Sequence, residues 1–267
     1  MMLQEGSGKE IIMKLKVCTF NLRLRNKGDG DNFFDNRLPL IVKTLKEELP
    51  DIIGFQEMTH EMRKMLTEQL PEYSLVGGGR EKNRNGESSC IAFLRTKYVL
   101  CDAETRMLSF QPKTPGTIYT GLDQSACPRA FTYALFTEMD GGRPFGVVNV
   151  HTDHIGQKTR MLASSAMLTY ISERQAETEF PFVMTGDFNA LPDSDEIKMI
   201  KGCGYINEIT DGIGDTFHNF GRAENYGQID YIFASEEFKC GSVRRIDARD
   251  GALYISDHYP VIAELTL

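Results

Sequence analysis

The chain has 267 residues, of which 41% are hydrophobic and 25% charged, so it is long enough for one large domain with a sizeable core. Its formal net charge of −8 argues against a protein that binds long nucleic acid through general electrostatics, because such binding needs many Lys and Arg side chains on phosphates. No apolar run approaches the roughly 20 residues of a membrane span, and six scattered cysteines without a CxxC pair indicate reduced thiols and a cytoplasmic protein.

The first segment of the chain has neither the apolar stretch of a secretory signal nor a complete phosphate-binding loop. Leu3 stands where the first glycine of such a loop belongs, and Glu10 follows Lys9 in place of Ser or Thr. We therefore predict a flexible N-terminal segment over residues 1–13 and a single domain over residues 14–267.

A strand–helix–strand unit is predicted at the start of this domain, with strands at residues 16–20 and 51–55. Apolar residues recur between them at helical spacing: Leu38, Ile41, Val42, Leu45 and Leu49. A second helical stripe ends before Pro71 and comprises Met62, Met65, Leu66 and Leu70.

Residues 77–89, GGGREKNRNGESS, form a polar, glycine-rich stretch with an excess of Arg and Lys. Two interpretations stay open. The stretch is either a solvated connection between strands or a loop that contacts an anionic substrate.

From Cys90 onwards the sequence predicts a series of strands, two of which are joined by the DGG turn at 140–142, and such hairpins imply antiparallel pairing. Strands are predicted at residues 90–95, 98–108, 130–138, 145–151, 227–233 and 259–265, and another begins at Phe182. A long helix before Phe182 carries its apolar stripe on Ala163, Ala166, Met167, Tyr170 and Ile171. Helices interleaved with such strands, without a linker or repeat, predict an α/β domain of packed sheets with helices outside.

Polar side chains recur at the ends of these strands. In VMTGDFNALP, an apolar strand runs into Asp187 and Asn189, which are either turn formers or a pair of acceptors at the edge of a sheet. Predicted strands also end at Asn21, Glu57 and His151. Asp230 lies within a further predicted strand, and Asp257 and His258 precede the last one. Carboxylates and an amide suit Mg²⁺, and histidines nearby supply proton transfer and charge stabilisation. The set therefore points to attack of water on a phosphate ester.

The ordered motifs TFN, QE, NVHTDH, TGDFNA, QIDYIF and SDHYPV, from residue 17 to the end, resemble those of the endonuclease/exonuclease/phosphatase superfamily. The NVHTDH stretch is similar to that of bacterial and deadenylase-like members. The resemblance implies a four-layer α/β/β/α sandwich of the deoxyribonuclease type, in which two mainly antiparallel sheets are flanked by helices. It also implies that residues 14–267 form one catalytic domain, with its site at one rim between the sheets.

The resemblance also implies roles for individual residues. Glu57 resembles the principal ligand of Mg²⁺, with Mn²⁺ as a substitute and one or two ions, and Asn21 and Asp257 assist it. His258 resembles a catalytic histidine oriented by Asp230.

The remaining catalytic roles concern the proton and the phosphate. Asp187 resembles the general base or leaving-group acid, Asn189 a phosphate-binding amide and His151 a donor to a phosphate oxygen. Whether Asp187 or His258 takes the proton stays open.

Three further residues are candidates for substrate binding. Arg129 matches a position that faces phosphate in the family, although a surface strand Arg is the alternative. Asp153 and His154 either line the substrate pocket or belong to a polar loop that caps the next helix. Arg37 is expected to brace the Asn21 or Glu57 loop through an ion pair.

Two alternatives of other classes remain. The stretch 149–154 also resembles the HxHxDH motif of zinc hydrolases with the metallo-β-lactamase fold, but its first histidine is Asn149, and only His60 and His218 are left to complete the site. A catalytically silent binding protein with the same fold is the second alternative.

Two features of the sequence bear on the substrate class: the acidic charge balance and the lack of a long basic insertion. These favour a nucleotide-like or single-stranded nucleic-acid substrate over duplex DNA, with a sugar or inositol phosphate as the alternative within the superfamily. No amphipathic insertion suggests a membrane partner, and no protein partner can be inferred.

Overall fold

The computed structural model describes residues 13–267. The predicted flexible segment at 1–13 lies outside the described residues except for Met13, which is buried and exchanges two backbone hydrogen bonds with Leu267. The α-helices in this part of the chain are α1 Phe34–Glu48, α2 His60–Gln69, α3 Gln157–Glu177 and α4 Asp195–Lys201. The strands are β1 Lys14–Asn21, β2 Ile52–Met58, β3 Tyr73–Val76, β4 Ser88–Leu94, β5 Tyr98–Met107, β6 Ala130–Glu138, β7 Phe145–His151, β8 Phe182–Asp187, β9 Ile206–Glu208, β10 Asp230–Ser235, β11 Lys239–Arg245, β12 Arg249–Asp250, β13 Leu253–Tyr254 and β14 Val261–Thr266.

Most of these strands form two six-stranded sheets. The first has the order β11-β14-β1-β2-β4-β3, and the second has the order β5-β6-β7-β8-β10-β9. Each sheet contains one parallel pair at its centre, β1 with β2 and β7 with β8, and its other pairs are antiparallel. The crossovers in these two parallel pairs are α1 and α3, as expected for β-α-β units.

Three hydrophobic clusters define four layers. The first lies between the first sheet and α1 and α2, the second lies between the second sheet and α3 and α4, and the third lies between the two sheets. Successive side chains of a strand point to opposite faces of its sheet and so enter different clusters. Ile52 faces the other sheet, and Ile53 faces the helices. The predicted four-layer α/β/β/α sandwich is confirmed.

Several element boundaries differ from the predictions. Helix α1 ends at Glu48, and Leu49 is a half-exposed cap in the left-handed conformation. The last strand begins at Val261 instead of Tyr259, since Pro260 has no N–H to donate to a ladder. No helix of residues 13–267 has both the length and the hydropathy needed to cross a bilayer.

Candidate active site

The strand ends that carry the predicted polar residues meet at one edge of the sandwich. His151 and Asp230, at the ends of β7 and β10, are each the register partner of Asp187 at the end of β8. Asn21 ends β1 in the other sheet, and its amide nitrogen donates to Asp187 Oδ2 at 3.0 Å. The edge is therefore common to both sheets.

Glu57 reaches this edge through a β-bulge. The register between β2 and β4 shifts between Phe55 and Met58, and Glu57 has a φ of 59°. A positive φ at a non-glycine residue is a local strain that neighbouring contacts must hold. Here the Asn21 amide donates to Glu57 Oε1 at 3.2 Å, and the Leu24 N–H donates to Oε2 at 2.8 Å.

A second carboxylate, that of Asp257, lies near Glu57. Its Oδ1 accepts from the Ser256 hydroxyl at 3.2 Å, and its Oδ2 is 3.7 Å from Arg23 Nε. Burial, followed by the negative charge of Glu57, raises the pKa of Asp257. The two carboxylates thus repel each other across the cavity, and this oxygen-rich arrangement fits a divalent cation.

His258 is held by hydrogen bonding to a buried acid. Its Nδ1 is 2.8 Å from Asp230 Oδ2, and its Nε2 is 3.8 Å from Asp187 Oδ2. Burial alone would lower the pKa of His258, but the charge and hydrogen bond of Asp230, with Asp187 and Asp257, raise it to about 10. Burial and the charge of Asp230 raise the pKa of Asp187 to about 7. One ligand atom from each of Asp187, Asp230 and His258 lies within 4.8 Å of the others, and Asp187 accepts from the predicted metal ligand Asn21.

His151 differs from His258 in charge. Burial, together with the nearby guanidinium groups of Arg129 and Arg80, lowers the pKa of His151 well below its ordinary value. Its Nε2 lies 3.5 Å from Asp187 Oδ2. A neutral imidazole in this position can donate a hydrogen bond to a substrate oxygen without adding a charge.

Asn189 lies beyond the end of β8, where the chain leaves the extended conformation. Its φ is 47°, and its backbone N–H donates to Asp187 Oδ1 at 2.9 Å, so the two side chains do not continue one strand face. Its amide nitrogen donates to Thr152 O at 3.2 Å. The VMTGDFNALP segment therefore turns at Asn189 and still keeps both Asp187 and Asn189 at the edge where the predicted site residues meet.

These groups surround a cavity of about 400 Å³. Its lining residues are Arg23, Leu24, Glu57, Arg80, Glu87, Cys127, Arg129, His151, His154, Asp187, Asn189, Phe217, Asn219, Tyr226, Ile229, Asp257 and His258.

Arg129 is a buried cation on the wall of this cavity and not a surface strand arginine. It is 4% exposed, and its Nη2 is 2.8 Å from His154 Nδ1. Its Nε and Nη1 are buried without a hydrogen-bond partner in the described part of the chain. Asp153 stands behind it, with Oδ2 3.6 Å from Arg129 Nε. A guanidinium group on a cavity wall is suited to phosphate oxygens.

Asp153 does not line the cavity. Its carboxylate accepts from the backbone N–H groups of Ser125, Ile155 and Gly156 and from the Ser125 hydroxyl. Against the effect of burial, these hydrogen bonds lower the pKa of Asp153 to about 2. The residue therefore organises the loop before α3, while Asp123 accepts from the first amides of that helix.

The sequence-based site omitted several residues of the cavity. Arg80 and Glu87 come from the 77–89 loop, whose excess of basic residues was the available signal. Phe217 and Tyr226 form an aromatic pair at the cavity with ring centroids 4.8 Å apart, and Tyr226 is 51% exposed. No periodicity marks these two residues, because they lie in an irregular segment between β9 and β10.

A family model described as "Endonuclease/Exonuclease/phosphatase family" matches residues 18–258. The chain belongs to the endonuclease/exonuclease/phosphatase family. The predicted resemblance is thereby confirmed. The family comprises, by its name, nucleases and phosphatases, which are hydrolases of phosphate esters.

Solved structures of similar proteins cover nearly the whole chain. An endonuclease/exonuclease/phosphatase from Bacteroides vulgatus is 30% identical, with a TM-score of 0.88 over 95% of this chain and 98% of that chain. A mannosyl-6-phosphatase from Bacteroides thetaiotaomicron is 27% identical, with a TM-score of 0.86 over 95% of this chain and 100% of that chain. The human Nocturnin catalytic domain, at 18% identity and a TM-score of 0.74 over 94% and 93% of the two chains, shares the fold.

The structure brings the predicted residues of this family member together in two shells around the cavity. Those that line it are Glu57, Arg129, His151, His154, Asp187, Asn189, Asp257 and His258. Those that stand behind the lining are Asn21, Asp153 and Asp230. Asn21 holds the Glu57 and Asp187 carboxylates through its amide nitrogen, while its Oδ1 accepts from the Arg23 N–H at 2.9 Å.

The zinc-hydrolase alternative fails on both fold and geometry. Family membership assigns a different fold, and neither His60 nor His218 lines the cavity. His60 begins α2, and His218 packs between Tyr254 and Tyr259, where its Nδ1 accepts from the Gly221 N–H at 3.1 Å.

Proposed function

We propose that this chain is a divalent-metal-dependent phosphoester hydrolase that uses activated water and acts on a small phosphorylated substrate. The observation that carries the proposal is the convergence of an acidic pair, Glu57 and Asp257, with the buried cation Arg129 and the His258–Asp230 pair around one cavity. A phosphate ester needs cationic groups for its oxygens and a group that moves the proton of water. We further propose that residues 14–267 act as one catalytic domain.

The side chains divide this work. Glu57 and Asp257, with Asn21 behind them, would hold Mg²⁺ or Mn²⁺, which when bound neutralises phosphoryl oxygens and stabilises the leaving oxygen.

Arg129, neutral His151 and the Asn189 amide line the cavity and would donate to phosphate oxygens. Asp230 fixes the His258 ring so that Nε2 faces Asp187, and these two groups are the candidates for moving the proton of the attacking water.

The size of the cavity and the comparisons favour a phosphomonoester of a small molecule, with a sugar phosphate first. A space of about 400 Å³ suits a small ligand, and a mannosyl-6-phosphatase shares the fold over its whole length. A nucleotide-like or single-stranded substrate is the second candidate, supported by the exposed Tyr226 ring, on which a base can stack. The six free thiols support a cytoplasmic location, which we also propose.

A substrate panel tests the proposal. The wild-type protein, treated with EDTA and then supplied with Mg²⁺, Mn²⁺ or Zn²⁺, is assayed for hydrolysis of sugar phosphates, inositol phosphates, nucleotides and oligonucleotides. We expect activity to disappear on chelation, to return with Mg²⁺ or Mn²⁺, and to fall at least about 10³-fold in Glu57→Ala and His258→Ala. A correctly folded wild type that turns over no member of the panel would instead support the silent binding protein.

A further inference from the structure

Arg80 and Glu87 form an ion pair on the cavity that the proposed reaction leaves unused. Arg80 Nη2 lies 2.5 Å from Glu87 Oε1, and the Arg80 N–H donates to Glu87 O at 2.9 Å across the base of the 77–89 loop. The Gly116 N–H donates to Arg80 O at 3.0 Å, which ties this loop to the segment between β5 and β6. The two side chains are only 10% and 18% exposed, and both line the cavity. The pair is thus a fixed part of the wall.

The pair lies immediately beside the reacting groups. Arg80, Glu87, Glu57 and His151 together line a narrow void of about 10 Å³. Such a void accommodates at most one water molecule. The pair therefore adjoins Glu57 and His151, and all four residues also line the main cavity.

The chemistry of Glu87 argues against a second phosphate site here. An ionised carboxylate only accepts hydrogen bonds and repels phosphate oxygens, so on the wall of a phosphate-ester cavity it needs a partner that donates. Arg80 compensates the charge of Glu87 at 2.5 Å, whereas the Arg129 guanidinium is 3.6 Å from the Asp153 carboxylate and lies on the cavity wall. Arg129 is therefore the phosphate group's cation, and Arg80 with Glu87 is a neutral pair that offers both donors and an acceptor.

Hydroxyl groups match this pair, because each hydroxyl donates one hydrogen bond and accepts others. Both side chains keep a small exposed fraction and line the cavity, so the pair is within reach of a bound substrate. We propose that Arg80 and Glu87 bind hydroxyl groups on the leaving group of the substrate, so that the substrate is a phosphorylated polyol such as a hexose phosphate. This assignment rests on the proposed function and names its substrate class.

Two substrates of equal carbon number test the assignment: glucose or mannose 6-phosphate, and hexyl phosphate, which has no hydroxyl groups. In Glu87→Gln we expect KM for the hexose 6-phosphates to rise about tenfold, the effect of weakening a charge-assisted hydrogen bond. For hexyl phosphate we expect KM to stay level or to fall, because the uncompensated Arg80 now attracts the phosphate. Arg80→Lys replaces the planar guanidinium and its fixed set of donors with a single ammonium group. It should also reduce the preference for hexose 6-phosphates over hexyl phosphate.

The exposed Glu81 of the same loop provides the matched control, and Glu81→Gln should leave both KM values unchanged. A loss of loop structure alone would raise KM for both substrates equally, and that result overturns the assignment. The nucleoside 5′-phosphate AMP is the third arm. A wild-type preference for AMP that Glu87→Gln does not alter also overturns it.

A binding arm separates this assignment from the proposed function. The increase in Tm caused by glucose 6-phosphate is measured in His258→Ala and in His258→Ala/Glu87→Gln, where turnover plays no part. A shift present in the first and absent in the second supports the pair even if the wild type hydrolyses nothing, in which case only the proposed function fails. Equal shifts, or no shift in either protein, overturn the pair's role.

Discussion

The His258 ring gains its orientation from a residue that does not touch the cavity. Asp230 begins β10 and is 1% exposed, and its Oδ2 lies 2.8 Å from His258 Nδ1. A buried carboxylate in this position fixes which ring nitrogen carries the proton and stabilises the imidazolium. We therefore propose Asp230 as a positioning residue, the role that the family resemblance implied, with a contribution that is separable from substrate binding.

Replacing Asp230 with Asn keeps the shape of the side chain and removes its charge. We expect kcat to fall about 10⁴-fold, as for the loss of charge in comparable His–Asp pairs, with KM changed less than about twofold. Steady-state kinetics on the best substrate of the panel measure both values. Glu236→Gln, an exposed acid just after the same strand, is the control and should behave as wild type. Equal changes in kcat and KM would contradict a purely positioning role.

At the scale of elements, the strength of the sequence pattern decided what could be predicted. Long amphipathic helices such as α1 and α3 and the buried strands follow from periodicity. The four-residue β3 and the exposed β11, KCGSVRR, have no apolar alternation to reveal them. The bulge at Glu57 and the left-handed conformation of Asn189 also break the two-residue alternation of a strand. The motifs therefore predicted these residues but not the directions in which their side chains point.

Arg37 of helix α1 makes contacts whose partners could not be predicted from the sequence. Arg37 is fully buried, and in place of the predicted ion pair it donates to the backbone carbonyls of Leu22, Arg23, Asn32 and Ile255. These carbonyls belong to the loop after β1 and to the chain before Asp257. A buried cation whose hydrogen bonds all go to backbone carbonyls has no complementary acid that the sequence could reveal, although its bracing function is the one expected.

Arg37→Met should therefore destabilise the fold more than a typical substitution does. The change leaves four buried carbonyls short of a donor. We expect the free energy of unfolding to drop by about 3–5 kcal/mol. Urea denaturation followed by circular dichroism measures this. Lys43→Met, at an exposed position of the same helix, should change stability by less than about 0.5 kcal/mol. A cost for Arg37→Met as small as that of the control would show that water replaces the guanidinium easily.

At the scale of the whole molecule, the two sheets are joined behind the site by a buried polar network. The Asn149 amide on β7 donates to Phe55 O and Cys90 O of the first sheet, both at 2.8 Å. Its Oδ1 accepts from Gln56 Nε2 at 2.7 Å and from the Thr185 hydroxyl at 3.1 Å. The order of the family motifs along the chain predicted the sandwich fold, and with it a site where the two sheets meet. The network that joins them depends on distances that no linear pattern contains.

Gly54 is the place where this network leaves no room for a side chain. A Cβ at this position would lie 2.1 Å from Thr185 Oγ1 and 2.6 Å from Asn149 Oδ1. Gly54→Ala must therefore push the sheets apart or break the hydrogen bonds between them. We expect it to lower the free energy of unfolding by about 2–3 kcal/mol, in the range found for overpacked cores.

Activity should respond to Gly54→Ala as well, since Glu57 and His151 approach the cavity from opposite sheets. A displacement of one sheet against the other changes the spacing of these two groups, and misplacement by about 1 Å can cost 10²-fold in rate. Gly241→Ala is the matched control, because a Cβ on β11 would meet only Glu264 O at 3.5 Å. Thermal unfolding and kcat are measured on both variants. Wild-type values for Gly54→Ala in both measurements would mean that the sheets adjust to each other freely, and that the site does not depend on their fixed separation.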